Sequence, residues 1–277
     1  MTTTTLAETP IAAAPPFPGM RVSQSRVIQS EWTKFRSLRS TLITLGAAVA
    51  LTVGLAALFC AVIANHWDRL EPARKLTFDA TEASLRGVTI AQLAVGVLGV
   101  LLVSGEYATG MIRASLTVVP KRLPVLWAKM TVFTVVVGVT SVVATLVAFF
   151  VGQSLLASKH LNVAFSHPHT ARMVLGAAVY LLLVGLTGMA FGGLFRNTAA
   201  GISSLVALYF VIPPLFELLP SSWATNISPY LPSNAGAAFW QRADPSLLSP
   251  GDGFLVILAW TAVAVALAAV RLKRADA

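Results

Sequence analysis

Residues 41–64 read TLITLGAAVALTVGLAALFCAVIA, an apolar run with no charged side chain anywhere in it. The hydrocarbon core of a bilayer is about 30 Å thick, so roughly 20 helical residues cross it. Working outward from this run, the same criterion finds 87–103, at the short limit, and 130–156, long enough to tilt. It also finds 173–195, then 199–219, broken late by Pro213-Pro214, and finally 253–270. Only Arg196-Asn197-Thr198 separates the fourth run from the fifth, which makes them a helical hairpin. Bulk composition agrees. The 277 residues are 56% apolar and 11% charged, with a mean hydropathy of +0.76. A soluble domain carries about 25% charged residues, and so few charges could not cover a water-soluble fold of this size. The sequence therefore predicts an all-α integral membrane protein with six transmembrane helices, forming a single domain over residues 23–277. A count of five, with 87–103 lying flat, would put the termini on opposite sides and scatter the basic clusters.

Six passes place both termini on one side, and the basic residues say which. The chain has 20 Lys and Arg against 11 Asp and Glu, a net charge of +9. In a soluble protein that excess would suggest nucleic acid. Here it is a topology signal, because Lys and Arg collect on the cytoplasmic flanks of membrane helices, and no nucleic-acid partner is expected. Arg21, Arg26, Lys34, Arg36, Arg39, Arg113, Lys121, Arg122, Lys129, Arg196, Arg271, Lys273 and Arg274 fall on one side with only four acids. The other side has seven bases and seven acids. The whole excess is thus on one face, which the reading assigns to the cytoplasm together with both termini. Residues 1–22, with TTTT and AAAPPFP, lack the charged start, apolar middle and cleavage site of a secretory signal. They read as a disordered cytoplasmic tail.

Two basic segments are patterned. In 25–42, Ile28, Trp32, Phe35, Leu38 and Leu42 recur at helical spacing, interleaved with Arg26, Lys34, Arg36 and Arg39. That is an amphipathic helix lying in the cytoplasmic interface. The segment 104–129, SGEYATGMIRASLTVVPKRLPVLWAK, is too polar to span and too regular for a loose loop. Ile112, Leu116 and Val119 give a short amphipathic helix that Pro120 stops. Lys121-Arg122 then faces phosphate headgroups or an acidic partner, and Lys129 marks re-entry into the membrane. Glu106 stands seven residues before Arg113 on the same helical face. It reads either as half of a salt-bridge switch or as a carboxylate near a helix start, favoured there by the dipole.

On the outer side, 65–86 is polar and mixed in charge, a modest external loop. The longer 220–252, with Trp223, Pro229, Tyr230, Pro232, Phe239 and Trp240, suggests short helices tucked into the outer interface. Within the fourth run, Gly188 and Gly192 form a small-xxx-small pair beside Gly185 and Gly193, suited to close helix approach. Glu217 lies at the outer end of the fifth run, where it reaches water. Cys60, the only cysteine, sits in an apolar run and reads as an inert core or lipid-facing residue.

Several chemistries lack their residues. There is no GxxxxGK[ST] phosphate loop, and no Gly is followed by Lys. No HExxH or Cys/His cluster occurs, and His66, His160, His167 and His169 all fall outside the apolar runs. The runs also hold no series of Asp, Glu or His of the kind that relays protons or ions. The chain is therefore not expected to be an enzyme or to hold a cofactor or metal. Energy for any transport must come from elsewhere.

Three stretches resemble the membrane subunits of ABC-2-type exporters of actinobacteria. They are SEWTKFRSLRST at 30–41, GEYATGMIRASLTVVPKRLPVLWAK at 105–129, and LPSNAG at 231–236. The six-span plan and the long outer segment before the last helix fit as well, so the resemblance covers the chain from about residue 23. Met111 departs from it, standing where the pattern has Thr. The resemblance implies a permease in the cell membrane that pairs with a separate cytoplasmic ATPase and with a second permease copy. ATP and Mg would then be bound by that partner. It also implies that 26–41 is an interfacial connecting helix and 106–116 a coupling helix touching the ATPase. Glu106, Tyr107, Gly110, Ile112, Arg113, Leu116, Pro120, Lys121 and Arg122 would form the coupling segment. The function expected is ATP-driven export of a hydrophobic or amphipathic drug, peptide or lipid-like molecule. An ion-coupled transporter and a non-transporting anchor or sensor for a cytoplasmic protein are the alternatives.

Overall fold

A computed structural model of the chain describes residues 23–111, 123–219, 225–242 and 248–274. Every regular element among them is helical. In chain order the α-helices are α1 (Gln24–Ser37), α2 (Arg39–His66), α3 (Pro72–Leu76), α4 (Ala80–Leu85), α5 (Val88–Ala108) and α6 (Leu123–Leu156). There follow α7 (Thr170–Phe195), α8 (Thr198–Val206), α9 (Ile212–Glu217), α10 (Pro232–Trp240) and α11 (Pro250–Arg274). Six segments are long and apolar enough to cross a membrane: Arg39–Arg69, Ala80–Ala108, Leu123–Lys159, Thr170–Phe195, Thr198–Phe216 and Pro250–Arg274. The tail 1–22 lies outside the described residues.

The two most buried spans, α5 and α7, form the centre of the bundle. Lipid offers no hydrophobic drive for helix association, so contact depends on how closely backbones approach. Glycines make that approach possible here. A Cβ on Gly188 would run into the carbonyl oxygen of Gly96, and one on Gly99 into that of Gly185. A Cβ on Gly192 would lie 2.6 Å from Val100 O. Around this seam, Phe133, Leu181 and Met189 are fully enclosed. Two polar contacts cross the same interior. The Tyr180 hydroxyl donates to Gln92 Oε1, and Thr187 meets Thr261 across 3.1 Å.

Several boundaries differ from the sequence expectation, each for a local reason. The second span does not end at residue 103: α5 runs through Glu106 to Ala108, and Thr109 and Gly110 (φ +71°) close it. The third helix is already formed at Leu123, where the described residues resume, so Lys129 lies within it and is buried rather than marking its edge. The stretch 65–86 is not a plain loop, since α4 is buried along nearly its whole length. Asp79 caps α4 through Glu82 N at 2.9 Å, and Gln153 of α6 donates to Ala80 O and Ser84 Oγ, both at 2.9 Å.

The fifth span does not break at its proline pair. A π-helical turn at Ala207–Val211 precedes α9, whose first turn takes Pro213 and Pro214. Prolines lack the N–H that would bond one turn back, and a widened turn just upstream absorbs that loss while the helix continues. The turn 196–198 is as short as expected. Arg196 is left-handed (φ +54°), and Asn197 caps α8 by accepting from Ala200 N at 3.0 Å. Between α9 and α11, α10 is buried against α7 and α11 through Pro232, Ala235, Gly236, Ala238 and Trp240. Arg172 of α7 holds its end, donating to Phe239 O at 2.6 Å and Gln241 O at 3.3 Å. Trp223 lies outside the described residues.

Candidate functional site

At the end of the bundle that carries α1, four charged side chains from three helices meet. Glu31 and Lys34 stand three residues apart on α1, Glu106 is in the last turn of α5, and Lys129 is on α6. Lys129 Nζ lies 2.6 Å from Glu31 Oε2 and 2.9 Å from Glu106 Oε1. Lys34 Nζ lies 2.7 Å from Glu31 Oε1 and 3.3 Å from Glu106 Oε1. The side chains of Glu31, Lys129 and Glu106 are 4%, 6% and 10% exposed, so three of the four charges sit almost out of water.

Local structure does not favour one of these placements. A carboxylate in the last turn of a helix faces the negative end of the dipole. Glu106 occupies that disfavoured position, and it is offset by the ammonium groups of the neighbouring helices. The reading of Glu106 as a carboxylate near a helix start is therefore overturned. Its charge is met by Lys34 and Lys129, while Arg113 lies outside the described residues. Burial pushes the Glu31 carboxyl upward, but the charge and hydrogen bond of Lys129, with Lys34 behind it, outweigh this and hold it below the ordinary range. Burial likewise pulls Lys34 down, and the hydrogen bond to Glu31 with the charges of both glutamates raises it net.

Apolar contacts fix the helices that hold the cluster. Val27 packs with Val125 and Ala128, joined by Ile28, and Gln24 donates to Pro124 O at 3.1 Å. With the Glu31–Lys129 pair, these contacts put α1 alongside residues 124–129 of α6 in parallel register. The buried face of α1 is Val27, Glu31 and Phe35, so the stripe expected from sequence is displaced. Ile28 is partly buried, and Trp32 is 45% exposed. Leu38 is extended (φ −83°, ψ 105°) and forms the elbow between α1 and α2, which resets the register before Leu42. Arg26, Arg36 and Arg39 are exposed.

The end of α5 is also gripped from its other side. Arg196 stacks over the Tyr107 ring at 5.0 Å, and Ser104 meets Thr198 across 2.8 Å. Of the segment expected to couple, Glu106 joins the cluster, Tyr107 lies under Arg196, and Gly110 supplies a left-handed turn. Ile112, Arg113, Leu116, Pro120, Lys121 and Arg122 lie outside the described residues. Glu31 and Lys129 were missed from sequence, although a lysine inside LWAKMTVF was a signal that a partner had to exist.

Glu31, Lys34, Glu106 and Lys129 also line a cavity of about 320 Å³ whose other walls include Phe35, Leu101 and Val132. A second hollow, about 740 Å³, lies at the opposite end of the bundle among Asp79, His167, Arg172 and Arg242. Among the described residues no three His, Cys, Asp or Glu side chains are placed to share a metal ion. No protein-family model matches the chain, and no curated protein matches it at a significant level.

Proposed function

We propose that this chain is the permease subunit of an ATP-driven exporter of the ABC-2 type, moving a hydrophobic or amphipathic molecule out across the cell membrane. The observation that supports it best is the four-charge cluster. It joins the N-terminal basic helix to both helices flanking segment 112–122. All four of its residues lie in the two stretches, 30–41 and 105–129, that carry the resemblance to such permeases. A push on segment 112–122 from a cytoplasmic partner would reach α5, α6 and α1 together through these bonds. The chain has no phosphate loop of its own, so the partner is an ATPase subunit that binds ATP and Mg. The one-sided Lys and Arg excess puts this end and both termini in the cytoplasm. A second copy of the chain completes the pore.

The test is purification of the tagged chain from its native membrane, with assay of ATPase activity in the eluate. A co-purifying ATPase is expected, whose turnover falls when Glu106 or Lys129 is replaced while the subunits stay associated. No associated ATPase would sink the proposal. Association without substrate movement in vesicles would favour a non-transporting anchor.

A further inference from the structure

The hollow at the end of the bundle opposite the four-charge cluster is lined by two arginines that make no ion pair among the described residues. Arg172, in the first turn of α7, donates to Phe239 O at 2.6 Å and to Gln241 O at 3.3 Å. Gln241 O belongs to the peptide bond that leads into Arg242, so one contact ties the two arginines together. Arg242 donates to Thr77 O at 3.3 Å. A guanidinium has five N–H groups, and these carbonyls take two from Arg172 and one from Arg242. Arg172 Nε has no partner and is not enclosed, and Arg242 is exposed. Asp79 is the one carboxylate among the described lining residues, and it already caps α4 through Glu82 N at 2.9 Å. With the histidines neutral, the lining carries one net positive charge. A neighbouring hollow that shares Asp79 adds Arg74 and Arg86 against Glu82, so the field there stays positive.

The lining is otherwise mixed. Phe78, Leu161 and Val163 are partly buried, Met173 is buried, and Leu76 is 83% exposed. The Thr81 and Thr170 hydroxyls are buried and meet each other across 3.4 Å, so they are already occupied. The volume, about 740 Å³, lies within the range of small-molecule sites, about 300–1,000 Å³.

We infer that this hollow binds a monoanionic amphiphile, a carboxylate on an apolar body such as a medium-chain fatty acid. The carboxylate accepts from the open N–H groups of Arg172 and Arg242, whose planar forks suit its two oxygens. The apolar body covers Phe78, Leu161 and Val163. A cation is repelled by both arginines, and an uncharged head leaves them without a counter-charge. A small inorganic anion meets the charge but leaves the apolar part of the lining wet. This site is independent of whether an ATPase pairs with the chain, so failure to find that partner would leave it standing.

The test uses the full chain in phosphatidylcholine nanodiscs with a diazirine-bearing decanoic acid, irradiated and read by peptide mass spectrometry. Labelling is expected within 76–81 and 161–173, competed by decanoate at concentrations where decylamine, decanol and inorganic phosphate do not compete. Arg242→Gln should cut labelling about ten-fold. Leu76→Glu, at an exposed lining position, puts a carboxylate in the hollow without disturbing packing and should also cut it. Arg69 is exposed at the same end of the bundle but does not line the hollow, so Arg69→Gln should leave labelling unchanged. Equal losses in Arg69→Gln and Arg242→Gln would mean diffuse surface charge only. Labelling spread evenly over the spans would mean partition into the bilayer only. Competition by decanol as strong as by decanoate would overturn the anionic headgroup, and equal competition by phosphate would overturn the apolar body.

Discussion

Lys129 Nζ lies 2.6 Å from Glu31 Oε2 although 98 residues of chain separate the two. Both side chains are nearly out of water. A buried pair of this kind adds little over apolar residues of the same shape, whereas removing one partner strands the other. The pair is best understood as fixing where α1 docks on α6. Lys129→Met should therefore cost about 3–5 kcal/mol, read as a fall in Tm in detergent. The double variant Glu31→Met/Lys129→Met removes both members and leaves the Lys34–Glu106 contact, so it should be more stable than the single variant. A double variant worse than the single would show that the pair adds net stability beyond what apolar residues of the same shape supply.

The same cluster sets a pH window. Glu31 titrates below its ordinary value of 4.5 when folded, so its contribution is complete above that value and is lost as pH falls through the depressed one. Lys34 titrates above its ordinary 10.5, so its contribution is complete below that value and is lost as pH rises through the raised one. Tm of the wild-type chain should accordingly be level from about pH 5 to 10 as far as these two groups are concerned. Glu31→Gln should lower that plateau and flatten the fall on its acid side. An unchanged acid limb in Glu31→Gln would show that the carboxyl gains nothing from Lys129.

The six spans were legible because length and hydropathy alone decide what crosses a bilayer, and the structure holds six such segments. The 196–198 turn was legible from the shortness of the polar gap. What sequence did not give was pairing. Glu31 and Lys129 look like ordinary interface charges until α1 and α6 are side by side, and periodicity on one helix says nothing about its neighbour. Leu38 was assigned to the apolar stripe of α1 because spacing is blind to a one-residue break in a continuous pattern. For α4, the composition of 65–86 averaged an exposed part with a buried one. The proline pair looked like a break because the compensating π-helical turn has no sequence mark.

Glycines on the α5–α7 seam should be far less replaceable than those elsewhere. A Cβ on Gly188 meets the backbone of Gly96, which cannot rotate aside, whereas Gly46 and Gly54 of α2 have nothing within 4 Å. Gly188→Ala should cost at least about 1–3 kcal/mol, the range for overpacking. Gly46→Ala and Gly54→Ala should leave Tm unchanged or slightly raised, since alanine favours helix. Equal effects at the two kinds of site would show that the seam is looser than described.

Cys60 is fully buried, which leaves the chain blank for thiol labelling from water. In a Cys60→Ala background, cysteines placed at Arg36, on α1, and Asp68, just past α2, occupy exposed positions beyond opposite ends of α2. A membrane-impermeant maleimide applied to intact cells should label the second and not the first. Labelling at position 36 instead would invert the proposed orientation, and labelling at both would contradict a span between them.

The contact between Tyr180 and Gln92 makes a further prediction about the interior. Both side chains are almost fully buried, on the two central helices, and the tyrosine hydroxyl donates to the amide oxygen. Gln92 also donates from Nε2 to Thr89 O at 2.9 Å, which aims its oxygen at Tyr180. Replacing only Gln92 by Leu leaves the phenol without an acceptor among apolar neighbours and should cost about 1–3 kcal/mol. Tyr180→Phe alone strands the amide oxygen and should cost a similar amount. The double variant Gln92→Leu/Tyr180→Phe removes both polar groups, so its loss should be clearly smaller than the sum of the singles. The coupling energy from this double-mutant cycle, measured by Tm in a single detergent, is the readout. Strict additivity would mean that the two groups do not depend on each other, and that the α5–α7 seam is held by glycine packing alone.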